Sequence, residues 1–146
     1  MKQEYIELLY AKCKELYSSG EGNTDSSTAE IDKELGKEIG ATQRSVRTYR
    51  TTYNNLRDNK PFNTNLGMDI LSYYISMFKD EFDNETFADI LKNMQNYLKE
   101  RYRIKAERNN TLRELCKSYA DDKGIDVDFS ENIFDGIIPQ KSIIKT

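Results

Sequence analysis

The stretch that most constrains this chain is residues 32–51, DKELGKEIGATQRSVRTYRT. Ile31, Leu35 and Ile39 recur every four residues, and Val46, Tyr49, Tyr53 and Leu56 recur at three- and four-residue intervals. Each run is one face of a 3.6-residue period. Six residues, Gly40 to Ser45, separate them, and the helices that carry them are expected to be joined by Gly40, Ala41 and Thr42. A connection so short forces two helices into a steep corner, and the corner makes specific demands. Gly36 is the small residue where the first helix approaches the second, and Gly40 tolerates the positive φ of the turn. Leu35, Ile39, Val46 and Tyr49 supply the apolar contacts that lock the pair. Thr42 is placed to cap a helix running from about Gln43 to Leu56.

The rest of the chain reads as further helices. Ile6, Leu9, Tyr10, Cys13, Leu16 and Tyr17 lie on one helical face. The polar, Gly- and Ser-rich run at residues 18–26 breaks it, and Ser27 with Glu30 forms a capping-box pattern for the next helix. Pro61 closes the stretch after Leu56 by restricting Lys60. Residues 66–78 carry Leu66, Ile70, Leu71, Tyr74, Ile75 and Phe78 on one stripe, with Asn65 or Thr64 as the expected cap. Residues 87–98 carry Phe87, Ile90, Leu91, Met94 and Leu98 on another, in a helix expected to reach toward Arg108. Thr111 and Glu114 repeat the capping box before Leu112, Leu115, Cys116 and Tyr119, and Gly124 ends that helix. Beyond it, residues 125–129 alternate like a short strand, and Ile137, Ile138, Ile143 and Ile144 form isolated apolar pairs. The expected fold is all-α with a short irregular or β-like tail. Its expected divisions are a helix-containing head at residues 1–60, a helical oligomerisation or core-completing segment at 61–124, and the tail at 125–146.

Composition excludes much chemistry. The 146 residues include no histidine, so Ser-His and Cys-His nucleophile pairs and histidine-ligated zinc are impossible. Cys13 and Cys116 stand too far apart in sequence to suggest a metal knuckle, and read as free thiols of a reducing cytoplasm, with a single long-range disulfide as the weaker alternative. The spaced carboxylates of residues 126–131 lack the glycine and terminal glutamate of a calcium loop. No metal, cofactor or enzymatic activity is expected, and no run is long and apolar enough for a membrane span.

The net charge of −3 is unfavourable for a nucleic-acid binder until its distribution is considered. Residues 1–39 hold five lysines against nine acids. From Gly40 to Arg57 there is no acid at all, while Arg44, Arg47, Arg50 and Arg57 fall in that stretch. A second basic run, residues 99–108, holds five cations against Glu100 and Glu107. It reads as the solvated face of a long helix, laced with near-neighbour pairs.

Residues 32–51 resemble the helix-turn-helix superfamily of DNA-binding proteins, in which the second helix enters the major groove. Taken at 100° per residue, Gln43, Arg44, Arg47, Thr51 and Asn54 lie opposite the apolar face. The resemblance carries base-edge readout to Thr42, Gln43, Arg44, Arg47, Thr48 and Thr51. Arginine pairs bidentately with guanine, glutamine with adenine, and threonine contacts a thymine methyl group. Arg50 and Arg57, nearer the flank of the buried face, are expected to touch phosphates.

The resemblance implies a double-stranded DNA-binding regulator, repressor-like and cytoplasmic. The composition, rich in Asn, Lys, Ile and Tyr, suggests an A+T-rich genome, and a compact chain without enzyme motifs looks similar to phage or plasmid regulators. The stripes within residues 66–119 suggest a homodimer suited to a two-fold operator. Two alternatives remain. One is a phage packaging or plasmid partition and transfer protein. The other is a module whose acidic patches engage a protein partner, inhibiting a host nucleic-acid enzyme.

Overall fold

A computed structural model describes residues 1–23, 26–62 and 66–140. It is helical throughout, with no strand among the described residues. Six α-helices follow one another: α1 (Gln3–Ser19), α2 (Ala29–Ile39), α3 (Gln43–Arg57), α4 (Met68–Glu81), α5 (Asn84–Lys105) and α6 (Asn110–Lys123). Single turns of 3₁₀ helix stand at Ser26–Thr28 and Glu131–Phe134.

The chain divides into two compact units, Met1–Asp58 with Thr64–Tyr74, and Asn59–Asn63 with Ile75–Thr146. The boundary falls within α4, and the residues after Gly124 belong to the second unit.

In the first unit, α1, α2 and α3 pack on one another. Leu9, Tyr10, Cys13, Leu16, Leu35, Ile39, Val46, Tyr53 and Leu56 are buried. Each buried aliphatic or aromatic side chain contributes about 1.5–3 kcal/mol. Four tyrosines reinforce the core. Tyr53 meets Tyr10 and Tyr74 edge-on at 5.7 Å between centroids, and Tyr73 meets Tyr10 at the same distance. The Tyr74 hydroxyl donates to the Tyr49 carbonyl at 3.2 Å.

In the second unit, α5 packs against α6 and the second 3₁₀ turn. Phe87, Ile90, Leu91, Met94 and Leu98 bury one face of α5, and Leu112, Cys116 and Ala120 bury one face of α6. Asp83 caps α5 by accepting from the Thr86 backbone N–H at 2.8 Å, which holds its carboxyl below the usual range. The helix ends at Lys105 because Ala106 adopts a left-handed φ of 58°, so it does not reach Arg108.

Several sequence expectations need correction. Ser27 is not the N-cap of α2: it lies in the 3₁₀ turn, and Thr28 precedes the first helical residue. Thr111 lies inside α6, whose N-cap is Asn109. The expected caps Thr64 and Asn65 and the pair Ile143–Ile144 lie outside the described residues. The tail alternates in burial as a strand would, with Ile125 and Val127 half-buried and Phe129 buried. It pairs with no strand among the described residues and is instead pinned through its carbonyls. Gln95 donates to the Asp128 carbonyl at 2.7 Å, and buried Arg113 to that of Phe129 at 2.7 Å.

The stripes of residues 66–78 and 87–98 are buried within the single chain, including Leu66, Ile70, Leu71, Ile75 and Phe78. No helix among the described residues is long and apolar enough to cross a membrane.

Candidate nucleic-acid interface

Helices α2 and α3 are joined by Gly40, Ala41 and Thr42. Gly40 ends α2 in the left-handed region at φ 68°, where glycine carries no Cβ penalty. Ala41 N–H closes back on the Gly36 carbonyl at 2.9 Å. Gly36 is required here, because a Cβ on it would stand 2.5 Å from the Ala41 carbonyl oxygen. The small residue thus clears the turn that folds back over α2. Thr42 then caps α3, its hydroxyl accepting from the Ser45 backbone N–H at 3.1 Å.

The fifteen residues of α3 contain no acid. Val46, Tyr53 and Leu56 are fully buried on its inner face, while Tyr49 is half-buried. Opposite them Gln43 and Arg44 are exposed, and Arg47, Thr48 and Thr51 are partly exposed. The structure therefore brings these five candidates together on one face. Thr48 turns its hydroxyl back to the Arg44 carbonyl at 3.2 Å.

Four other candidates serve inside the unit. Thr42 is exposed, but its hydroxyl oxygen is used as the helix cap. Asn54 donates to the Gly22 carbonyl at 2.5 Å, tying α3 to the loop after α1. Arg57 lies over the Tyr17 ring at 4.3 Å and donates to the Tyr53 hydroxyl at 2.9 Å. Tyr17 in turn donates to Asp58 at 2.6 Å, a bond that raises the phenol's pKa.

The clearest correction concerns Arg50, expected at a phosphate and found 1% exposed. It donates to Asp32 at 2.5 Å and to the Asn23 carbonyl at 2.8 Å. Asp32 is itself fully buried. A bare charge in that position would be severely penalised, so the two ions require one another. The physical reason for the error is one of angle. Arg50 follows Val46 by four residues and precedes Tyr53 by three, which places it on the inner face. Asp32 carried the matching signal, three and seven residues before Leu35 and Ile39 on the buried face of α2.

The second basic run also differs from its solvated reading. Arg103 pairs with Glu100 on the surface, as expected of near neighbours. Arg101, however, is buried and meets Glu107 at 3.0 Å. Arg108 lies 5.0 Å from the Tyr102 ring and 5.3 Å from that of Phe134.

One cation near the turn was not anticipated. Lys2, with Tyr5, lines a shallow depression of about 520 Å³ together with Gly40, Thr42, Ser45 and Tyr49. Lys2 is exposed, with its ammonium 5.5 Å from the Tyr5 ring centroid. No periodicity could have placed it, since the packing of α1 against α2 and α3 is a long-range property.

Comparison with protein-family models, curated proteins and solved structures gives no match.

Proposed function

We propose that the chain binds duplex DNA through the outward face of α3, as a helix-turn-helix reader of the major groove that acts in regulation. The observation that carries this reading is the acid-free α3. It presents Gln43, Arg44, Arg47 and Thr51 together, in a chain whose net charge is −3. A helix surface kept merely soluble mixes acids with bases; this one leaves a donor-rich strip of the kind that reads base edges. The tight turn, the clearance at Gly36 and the cap at Thr42 fix where that strip begins. Lys2, beside the turn, adds a cation suited to a phosphate.

Among the described residues, the cations on α3's outward face and beside its turn are Arg44, Arg47 and Lys2. Binding by one copy should accordingly show a modest salt slope, about −2 to −3 in log K against log salt. Selection from a random duplex pool, followed by fluorescence anisotropy on the enriched site, tests the proposal. Arg44→Ala with Arg47→Ala should abolish selective binding while leaving the helical circular dichroism intact. A folded double variant that binds the selected site as tightly as the parent chain removes α3 as the reader.

A groove between α1 and α2 favours a second reading, as a protein-binding module. Its rim carries Glu15, Glu30, Glu34 and Glu38, with Lys12 paired to Glu15, around Leu8, Ile31 and Leu35. This chemistry suits a basic amphipathic partner. Biological activity that survives the double arginine substitution would favour it.

A further inference from the structure

We propose that the groove between α1 and α2 seats an amphipathic helix of a protein partner, its flank lined with lysine or arginine, while α3 stays free for duplex DNA. The inference rests on the protein-binding reading of that groove and names its occupant; it also makes the two readings separate faces of one unit. The groove has a volume of about 530 Å³. Its apolar lining is Leu8 on α1, 40% exposed, with half-buried Ile31 and buried Leu35 on α2. Glu30, Glu34 and Glu38 follow one another at four-residue intervals along the α2 side, and Glu15 stands on the α1 side. Glu15 pairs with Lys12 at 3.7 Å and Glu34 with Lys37 at 3.3 Å. Glu30 and Glu38 are exposed and form no ion pair among the described residues.

Charge segregation around α2 gives the occupant its sign. Taken at about 100° per residue, the three glutamates of α2 fill an arc directly beside Ile31 and Leu35, and Lys33 and Lys37 lie beyond them on the side away from the groove. The acids therefore border the apolar strip, where the flank of a docked helix meets them. An anionic flank is repelled there, and an uncharged one strips water from the carboxylates without replacing it. The same rim repels phosphate, which turns duplex DNA away from this face. Glu30 to Glu38 spans about 12 Å at 1.5 Å per residue, roughly two turns. The matching helix carries cations at i, i+4 and i+8 beside an apolar stripe at i, i+3, i+4 and i+7. Asp32 and Gly36 occupy the other side of α2, where Asp32 pairs with Arg50 and Gly36 clears the Ala41 carbonyl. The groove is thus lined from α1 and α2, and the DNA-reading candidates stand on α3.

Fluorescence anisotropy on the full chain tests the groove with labelled model helices about 14 residues long, roughly four turns. One has a leucine stripe flanked by lysines, one the same stripe flanked by glutamines, one by glutamates, and a fourth scrambles the lysine peptide. The lysine helix should bind about tenfold or more tighter than the others, a preference that added salt reduces. Glu30→Lys with Glu38→Lys should weaken it about tenfold, as two attractions at an exposed rim become repulsions. Leu8→Ser should weaken it about threefold through lost apolar contact. Glu85→Lys with Glu114→Lys makes the same change in net charge on the second unit and should leave binding within about twofold. Arg44→Ala with Arg47→Ala should bind the lysine helix as tightly as the parent, and the Glu30 and Glu38 variant should bind the selected duplex no more weakly. Equal binding of the scrambled peptide, or equal loss in the two charge-reversed variants, reduces the effect to net charge and overturns the proposal. A glutamine or glutamate helix that binds more tightly, and that Leu8→Ser weakens, overturns the cationic occupant and keeps the protein-binding reading; binding by none of the helices removes both. Self-association of the parent chain in sedimentation, abolished by the Glu30 and Glu38 substitutions, makes a second copy the occupant and overturns the proposal. A chain that binds the lysine helix but no duplex loses the α3 reading, and the claim of a second free face with it, but keeps the groove's occupant.

Discussion

Replacing Gly36 with alanine sets two effects of opposite sign against each other. In an exposed helix, the substitution stabilises by about 1 kcal/mol through helix propensity. At this position the new Cβ would lie 2.5 Å from the Ala41 carbonyl oxygen, with the Ala41 carbon at 3.4 Å and the Thr42 carbon at 3.5 Å. The first contact is about 0.9 Å short of the distance at which ordinary packing begins. The obstructing atoms are backbone, so no rotamer change relieves the clash, and the turn itself must move. Forced overpacking of this kind costs about 1–3 kcal/mol. A backbone obstacle belongs in the upper half of that range, which leaves a net loss of about 1–2 kcal/mol. The melting temperature should fall by roughly 2–8 °C, given ~2–4 °C per kcal/mol for a chain of this size.

Gly40→Ala is the matched comparison. No atom lies within 4 Å of its added Cβ, but φ is 68°, so the loss is the local cost of left-handed backbone, about 1–2 kcal/mol. The two variants should lose similar stability and differ in binding. Gly36→Ala displaces the start of α3 and should weaken selective duplex binding beyond what its folded fraction explains, whereas Gly40→Ala should not. Thermal melts with anisotropy at a temperature where both variants are folded separate the cases. A Gly36→Ala chain more stable than its parent would mean that the turn does not close on α2 as described.

Removing Arg50 with Arg50→Ala should cost about 3–5 kcal/mol in urea denaturation, because it strands the Asp32 carboxylate in the core. A loss below about 1 kcal/mol would contradict the burial of that pair. Cys13 and Cys116 are both buried, and burial pushes each thiol up to about 12. At pH 8 roughly one thiol in ten thousand is then ionised, so maleimide or disulfide reagents should label the folded chain slowly and the urea-unfolded chain at once. Prompt labelling of either cysteine without denaturant would show that its helix opens readily.

The helices were legible because their signal is local. Each apolar run repeats at the 3.6-residue period, and Thr42 and Gly40 mark the ends they should mark. The capping boxes at Ser27 and Thr111 misled for the opposite reason. The pattern of a hydroxyl with an acid three residues on is short, and a 3₁₀ turn in one case and a left-handed Asn109 in the other moved the start of the helix. The strand-like tail shows the same limit. Alternation reports an extended chain with one inner face, and residues 125–129 have that face, but a strand also needs a partner.

Charged residues that fold inward were the least legible part, and they decide what the candidate interface contains. Arg50 and Arg101 are expected at the surface, yet each is buried against a carboxylate or carbonyl distant in sequence or beyond a helix end, and Arg113 is buried in the same way against the Phe129 carbonyl. Counting arginines on α3 suggests four phosphate or base contacts. The structure divides them differently: Arg50 clasps the loop after α1, Arg57 covers Tyr17, Arg47 leans on Asp32, and Arg44 stands outward. A positive charge turned inward adds little short-range attraction for a phosphate, so counting charges overstates the reach of this face. If α3 reads duplex DNA as proposed, selectivity must then come from a few groups rather than from a broad basic surface. On that proposed reading, what Arg44 and Arg47 contact, more than the number of arginines on α3, should govern which duplex is preferred.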